Sequence, residues 1–295
     1  MAAGFDQIYS LLLELWLLIK VAIIEPSCLP LIILVLVTAF GWYYRDEDGP
    51  LVRSQALLDF LYPILNVVFF GWFYATLILV ITKFYLNCLP FLNTGLLDDK
   101  PVWLQAVGAF LIVDFTLFIT HYLQHKLRWV WYFHTIHHSQ EHISALTALR
   151  IHWIEYLFDA IIVTVPIAFV GGDISTWFLL ALFNNSWGYV VHANARIPLG
   201  PLEYLIVTPQ YHRLHHSKNP QHFDKNFCER LTLWDFIFGT MCMDFDSVRE
   251  TGVDGFPVET PERSLSALLN RWKTQTIYPF RLLMQDLHKA ISQRT

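Results

Sequence analysis

The chain has 295 residues, of which 55% are hydrophobic and 15% charged, with a formal net charge of −5. Soluble domains run at about 45–50% apolar and about 25% charged residues, so charges this sparse cannot cover a water-facing surface, and much of the surface must face lipid. The composition excludes a disordered chain, a collagen-like repeat and a small disulfide scaffold. It also argues against nucleic acid as a partner, because there is no excess of cations to displace phosphate counterions.

Apolar runs fall at 8–24, 29–44, 64–86, 103–121, 153–170 and 174–192. At 1.5 Å per residue the run from Trp103 to His121 spans about 28 Å, close to a bilayer's hydrocarbon core. The last four runs are therefore expected to span. The first two are marginal: 8–24 carries Glu14 and Lys20, and 29–44 is short, so they are expected to form a shallow hairpin or lie at the surface. The start lacks the basic residues of a cleavable signal, so the first run is expected to be retained. Turn residues separate the runs: Glu25-Pro26-Ser27, Asp46 to Pro50, Asn93-Thr94-Gly95 with Asp98-Asp99, and the tight Gly171-Gly172-Asp173. That tight turn sends 174–192 back to the face that 153–170 left. Arg45, Arg53, Lys126, Arg128 and Arg150 lie on that face by parity, which makes it cytoplasmic by the positive-inside rule. The predicted fold is all-α: an integral membrane helical bundle under a cytoplasmic histidine-rich helical cap. Three regions are expected, with membrane segments in 1–100, a catalytic domain in 101–245 and a cytoplasmic tail in 246–295, amphipathic near 262–294.

Cys28, Cys88, Cys228 and Cys242 form no CxxC pair, which excludes thiolate zinc knuckles and cysteine-held iron–sulfur clusters. Nine of the 13 histidines fall in patterned groups. His121 and His125 share a helix face at the end of a span. His134, His137 and His138 form an HxxHH group, His192 ends the returning span, and His212, His215 and His216 repeat HxxHH. Hairpin parity brings all four groups to one face at similar depth. About four or five neutral imidazoles per ion would serve two first-row metals; iron, zinc, copper and nickel all suit imidazole. His142, His152, His222 and His288 are read as ordinary structural or surface residues. Asp114 lies in a span on the helix face of His121, where a carboxylate is a functional candidate as a partner for a ligand's second nitrogen. Glu141 and Asp235 are weaker candidates for that job, and Arg150 could pair with any of the three.

The stretch 103–245 resembles the fatty acid hydroxylase/sterol desaturase superfamily of membrane di-iron oxidases, bacterial sterol desaturase-like members included. The resemblance rests on Asp114 with His121, WYFHTIHHSQE (Trp131–Glu141), TALR (Thr147–Arg150), GPLEYLIVT (Gly200–Thr208), HRLHHS (His212–Ser217) and DKNFCERLTLWDFIFGT (Asp224–Thr240). Cys228 departs from a glycine common there, and Gly188 stands where some hydroxylases hold a second histidine of the third group. Water or Asn185 could then complete a shell.

The resemblance implies two iron ions on the nine histidines, with zinc able to replace them in purified protein. It also implies oxygen-dependent attack on an unactivated C–H bond of a membrane lipid. Sterol-type desaturation is placed slightly ahead of fatty-acyl, ornithine-lipid or alkylglycerol hydroxylation. No Gly-rich dinucleotide fingerprint, cysteine cluster or CxxCH haem motif is present, so electrons must come from an external cytochrome b5-like or ferredoxin-like donor. A membrane metal-binding or transport protein is the alternative of another class. The expected host membrane is a bacterial inner membrane or endoplasmic reticulum; no C-terminal lysine retention signal is visible, which tilts the expectation mildly to the former.

Overall fold

The computed structural model describes residues 29–43, 50–257 and 262–293. The expected first run, 8–24, lies outside them. Nine α-helices are described: α1 (Leu29–Tyr43), α2 (Pro50–Cys88), α3 (Val102–Lys126), α4 (Arg128–His138), α5 (Trp153–Val170), α6 (Ile174–Val191), α7 (Pro209–His215), α8 (Leu233–Phe238) and α9 (Leu265–Ser292). The only bridges among the described residues are two isolated ones, Ile206 with Leu231 and Ser217 with Thr251.

Three described helices are long and apolar enough to cross a membrane: α2, through Ser54–Phe73, α3 and α5. The fourth expected span, α6, is not among them. Asn184, Asn185, Ser186 and Gly188 dilute its apolar character towards its histidine end. Helix α2 has 39 residues, about 58 Å at 1.5 Å per residue, longer than a bilayer core needs. Its first half carries Asp59 and Asn66, both buried. Its second half runs beside α5: Phe70 and Phe73 pack on Trp153, at the start of α5, with ring centroids 4.5 and 5.9 Å apart. Thr94, beyond the end of α2, reaches the Phe169 carbonyl at the other end of α5.

Helix α3 packs against both α5 and α6. Its buried side includes Ala109, Val113, Phe118 and His121, whereas Val107, Leu111 and Phe115 are exposed. The α5–α6 turn needs positive φ at Gly171 and Gly172 (72° and 94°), which glycine supplies without steric cost. The Asp98 carboxylate accepts the Gly172 N–H at 2.7 Å, and Gln105 accepts the Asp173 N–H at 2.8 Å. That end of the bundle is thereby locked. The opposite end gathers the C-terminus of α3, the N-terminus of α5 and the C-terminus of α6.

The amphipathic tail is not free. Leu268 and Trp272 of α9 join Leu58, Tyr62, Leu65, Ile136 and Phe256 in one buried cluster, so packing continues across the expected boundary near 245. Arg150, which pairs with none of the three carboxylates expected for it, bonds Asp59 of α2 at 3.0 Å instead. It also donates to the Ile136 carbonyl, the Ser139 hydroxyl and Gln275. A cation is favoured at the C-terminus of a helix, and this one holds the end of α4 against α2 and α9.

Candidate metal centre

Each histidine group is positioned by a separate element. His121 and His125 sit one turn apart at the end of α3. Helix α4 begins directly after Leu127 and presents His134, His137 and His138. His192 is the C-cap of α6. Helix α7 starts with Pro209 behind Thr208, whose hydroxyl accepts the Tyr211 N–H, a sequence-encoded start that places His212, His215 and His216.

The nine rings meet in two groups. His121, His125, His134, His138 and His215 form one, and His137, His192, His212 and His216 the other, with the candidate ligand atoms in each within 4.8 Å of one another. Eight are buried, and His125 is half-buried. The HxxHH spacing splits both motifs between the groups: His138 and His215 join the first, His137, His212 and His216 the second.

The nitrogens face one another. In the first group His138 Nε2 lies 3.2 Å from His125 Nε2 and 3.1 Å from His215 Nε2. In the second, His192 Nε2 lies 3.1 Å from His137 Nε2 and 2.9 Å from His212 Nε2, which is 3.1 Å from His216 Nε2. Two ligands at roughly 2.1 Å from a metal and at right angles to each other are about 3.0 Å apart. These separations fit adjacent corners of a coordination shell.

The outer nitrogens support the same orientation. His121 Nδ1 donates to the Phe227 carbonyl at 2.8 Å, His215 Nδ1 to that of Lys225 at 2.7 Å, and His192 Nδ1 to that of Gly188 at 2.7 Å. His134 Nδ1 donates to the Glu155 carboxylate at 2.6 Å. Committing Nδ1–H in this way leaves the Nε2 lone pair facing inward. His121 Nε2 and His134 Nε2 are buried and have no hydrogen-bond partner, a costly state unless something accepts the lone pair. Burial, reinforced by neighbouring rings, also holds His134, His137, His138, His212, His215 and His216 below the ordinary imidazole pKa. Neutral imidazole is the form that binds metal. The donor set thus fits two first-row ions.

Asp114 is placed differently from the expectation. It accepts the indole N–H of Trp234 at 2.8 Å, while the Phe227 carbonyl takes the role beside His121. Asn185 is exposed on α6, unlike the buried histidines. Glu141 is a partner of Lys218 at 3.9 Å. Asp235 is buried and accepts the backbone N–H groups of Phe227 and Cys228 at 2.9 and 2.8 Å, together with the Tyr211 hydroxyl at 2.8 Å. It therefore orients His121 through Phe227, one bond further out than expected. His152 is structural: it caps α5 and contacts the Thr276 carbonyl at 3.1 Å.

Sequence reasoning missed Glu155. Its signal was present: a carboxylate just inside a span, at the histidine end. The carbonyls of Phe227, Lys225 and Gly188 carry no side-chain signal. The position at Gly188 remains open, since a Cβ there would meet nothing within 4 Å.

A helical bundle with three helices long and apolar enough to span a membrane and two clusters of histidines at one end defines a membrane protein whose clustered imidazoles could hold metal ions. Residues 106–240, somewhat less than half of the chain, match the family model for fatty acid hydroxylase. Ornithine lipid hydroxylase OlsE of Rhizobium tropici is 31% identical over 48% of this chain and 43% of its own length. Alkylglycerol monooxygenase of Homo sapiens is 35% identical over 52% of this chain and 34% of its own, and that of Xenopus tropicalis 30% over 74% and 46%. The chain thus spans less than half the length of these relatives. No solved structure matches.

Proposed function

We propose that the protein is an oxygen-dependent lipid hydroxylase, with one iron ion in the five-histidine group and a second in the four-histidine group. The observation that carries this proposal is the mutual approach of Nε2 atoms to 2.9–3.2 Å in both groups. Iron supplies the oxidising power needed for an unactivated C–H bond, which has no proton acidic enough for a side-chain base. The protein's own residues do the rest. Glu155 and the three carbonyls fix ring orientation, and burial keeps bulk water from the groups. The apolar faces of the spanning helices offer a lipid chain a lateral approach.

In the overall reaction one oxygen atom enters the C–H bond and the other leaves as water. Two electrons come one at a time from the external donor, of cytochrome b5-like or ferredoxin-like type, on the cation-rich cytoplasmic face, and two protons come from solvent water. Hydroxylation is placed ahead of sterol-type desaturation, reversing the order expected from the resemblance, because the relatives above carry hydroxylase and monooxygenase names. A transporter would set ligands along a path near the bilayer midplane, whereas these rings gather at one end of the bundle.

The test uses iron-loaded protein in liposomes containing ornithine lipid, alkylglycerol or sterol, with a reduced donor and isotopically heavy dioxygen. Incorporation of one heavy oxygen atom into a lipid chain is expected. Loss of two hydrogens without label, or no turnover of any of the lipids by fully loaded protein, would contradict it.

A further inference from the structure

Past residue 193 the sequence turns polar, and the segment around α8 is expected in the aqueous cap. Its surface is nevertheless apolar. Phe236, Ile237 and Phe238 are 72%, 57% and 53% exposed, and on the neighbouring segment Leu202, Tyr204 and Leu205 are 50%, 62% and 59% exposed. The two segments are tied together: Thr232 N–H donates to the Leu205 carbonyl and its hydroxyl to that of Tyr204. A contiguous apolar surface of this kind on a water-facing cap marks an interaction site.

Its depth says what it meets. The chain leaves the level of His121, where the Phe227 carbonyl accepts the ring N–H, and descends beside α3. Trp234 reaches Asp114 at 2.8 Å and packs on Phe115 with ring centroids 4.7 Å apart, while Phe238 lies 5.1 Å from Phe118. The chain then climbs back, where Asn226 N–H bonds the Thr240 carbonyl at 3.0 Å. At 1.5 Å per residue, Phe115 lies about 9 Å below His121 and about 20 Å from Val102, near the middle of the helix. The exposed stripe of α3, Val107–Leu111–Phe115 at four-residue spacing, runs directly into the α8 aromatics. The two surfaces are continuous, and the stripe belongs to a span.

The backbone is equipped for such a place. Gly239 (φ 72°) ends α8 with its N–H on the Phe236 carbonyl, and the N–H groups of Thr240 and Met241 both bond the Asp235 carbonyl. Irregular chain survives at membrane depth only when its polar groups are satisfied within protein; here Asp235 accepts the Phe227 and Cys228 N–H groups and Asp114 the Trp234 indole N–H. We propose that residues 228–240 form a re-entrant element embedded in the hydrocarbon of the leaflet nearest the histidines, with Phe236, Ile237, Phe238 and the Leu202–Leu205 edge facing lipid chains. This assignment goes beyond the proposed reaction and stands or falls independently of it.

The test attaches a nitroxide to Phe236→Cys, or separately to Leu205→Cys, in the full chain in liposomes, with Cys28, Cys88 and Cys242 replaced by serine. Asp254→Cys serves as the aqueous control. Collisional relaxation by dioxygen, which concentrates in hydrocarbon, is compared with that by a water-soluble nickel chelate. An oxygen-to-nickel ratio several-fold above that of position 254 is expected at both sites. A ratio equal to the control would place the patch in water. Poor access to both agents with an immobilised spectrum would mean that protein, such as a second copy of the chain, covers it. Either result overturns the proposal, and Leu205→Cys keeps it testable should the Phe236 variant fail to fold.

Discussion

The contact between Glu155 and His134 offers the sharpest test of how the rings are held. The bond is 2.6 Å long, with side chains 3% and 4% exposed, so solvent does little to screen it. Losing a carboxylate behind a ligating histidine costs about 10–100-fold in metal affinity, or about 1.4–2.7 kcal/mol. Glu155→Leu removes both the charge and the acceptor, so His134 is free to turn or change tautomer, and the upper figure is expected. Glu155→Gln keeps an acceptor at the same place, so about tenfold is expected. The other carboxylate oxygen of Glu155 has no partner. The glutamine amide would therefore leave a buried donor unsatisfied, at about 1–3 kcal/mol of stability, a cost that falls on folding with or without metal. The assay is iron competition against a chromophoric chelator, alongside thermal unfolding of the metal-free variants. The reasoning fails if Glu155→Leu binds iron as tightly as the parent, or if Gln weakens binding more than Leu.

Removing one ligand should distinguish the groups. His137→Ala leaves three histidines in the smaller group and should lower bound iron from two per chain towards one, with loss of turnover; unchanged iron and turnover would argue against a ligand role. His125→Ala leaves four in the larger group and should keep near-full iron with slower turnover, read by metal analysis and lipid product. Six of the buried rings outside the spans, those of the two HxxHH motifs, have pKa values lowered from 6.5 by burial. The unfolded chain therefore takes up protons first as pH falls. Stability of the metal-free protein is full above about pH 6.5 and should fall below it, by up to about 1.4 kcal/mol per ring per pH unit; unfolding midpoints independent of pH between 7 and 5 would refute this. Arg150→Met removes the cation from the buried Asp59 carboxylate, and breaking a buried ion pair in this way costs about 3–5 kcal/mol. Denaturant melts should show it, with much of the loss recovered in the Arg150→Met/Asp59→Leu double variant.

Much of the centre was legible because it depends on periodicity. Offsets of three and four residues fix which histidines share a helix face, and the Gly171-Gly172 turn fixes which ends of α5 and α6 coincide. The partition between groups was not legible. Adjacent residues such as His137 and His138 fall into different groups only once the relative placement of α4 and α7 is known. Backbone acceptors such as Phe227 leave no mark on composition, so Asp114 drew the role that a carbonyl fills. Arg150 was visible as a possible partner for a carboxylate near the groups, but its partner, Asp59, sits 91 residues away, just before the apolar run expected at 64–86. The apolar surface at 233–238 was not legible because the polar residues around it, Glu229, Arg230 and Asp235, mask three exposed aromatic and aliphatic side chains. Those charged groups fold inward onto Phe227, Cys228 and each other.

Iron X-ray absorption on the reconstituted protein in lipid nanodiscs tests the central claim most directly. Two irons per chain, each with a shell dominated by imidazole nitrogen and averaging between the four and five histidines of the two groups, is the predicted result. A single iron, or shells dominated by oxygen or sulfur, would contradict the assignment of these rings as ligands.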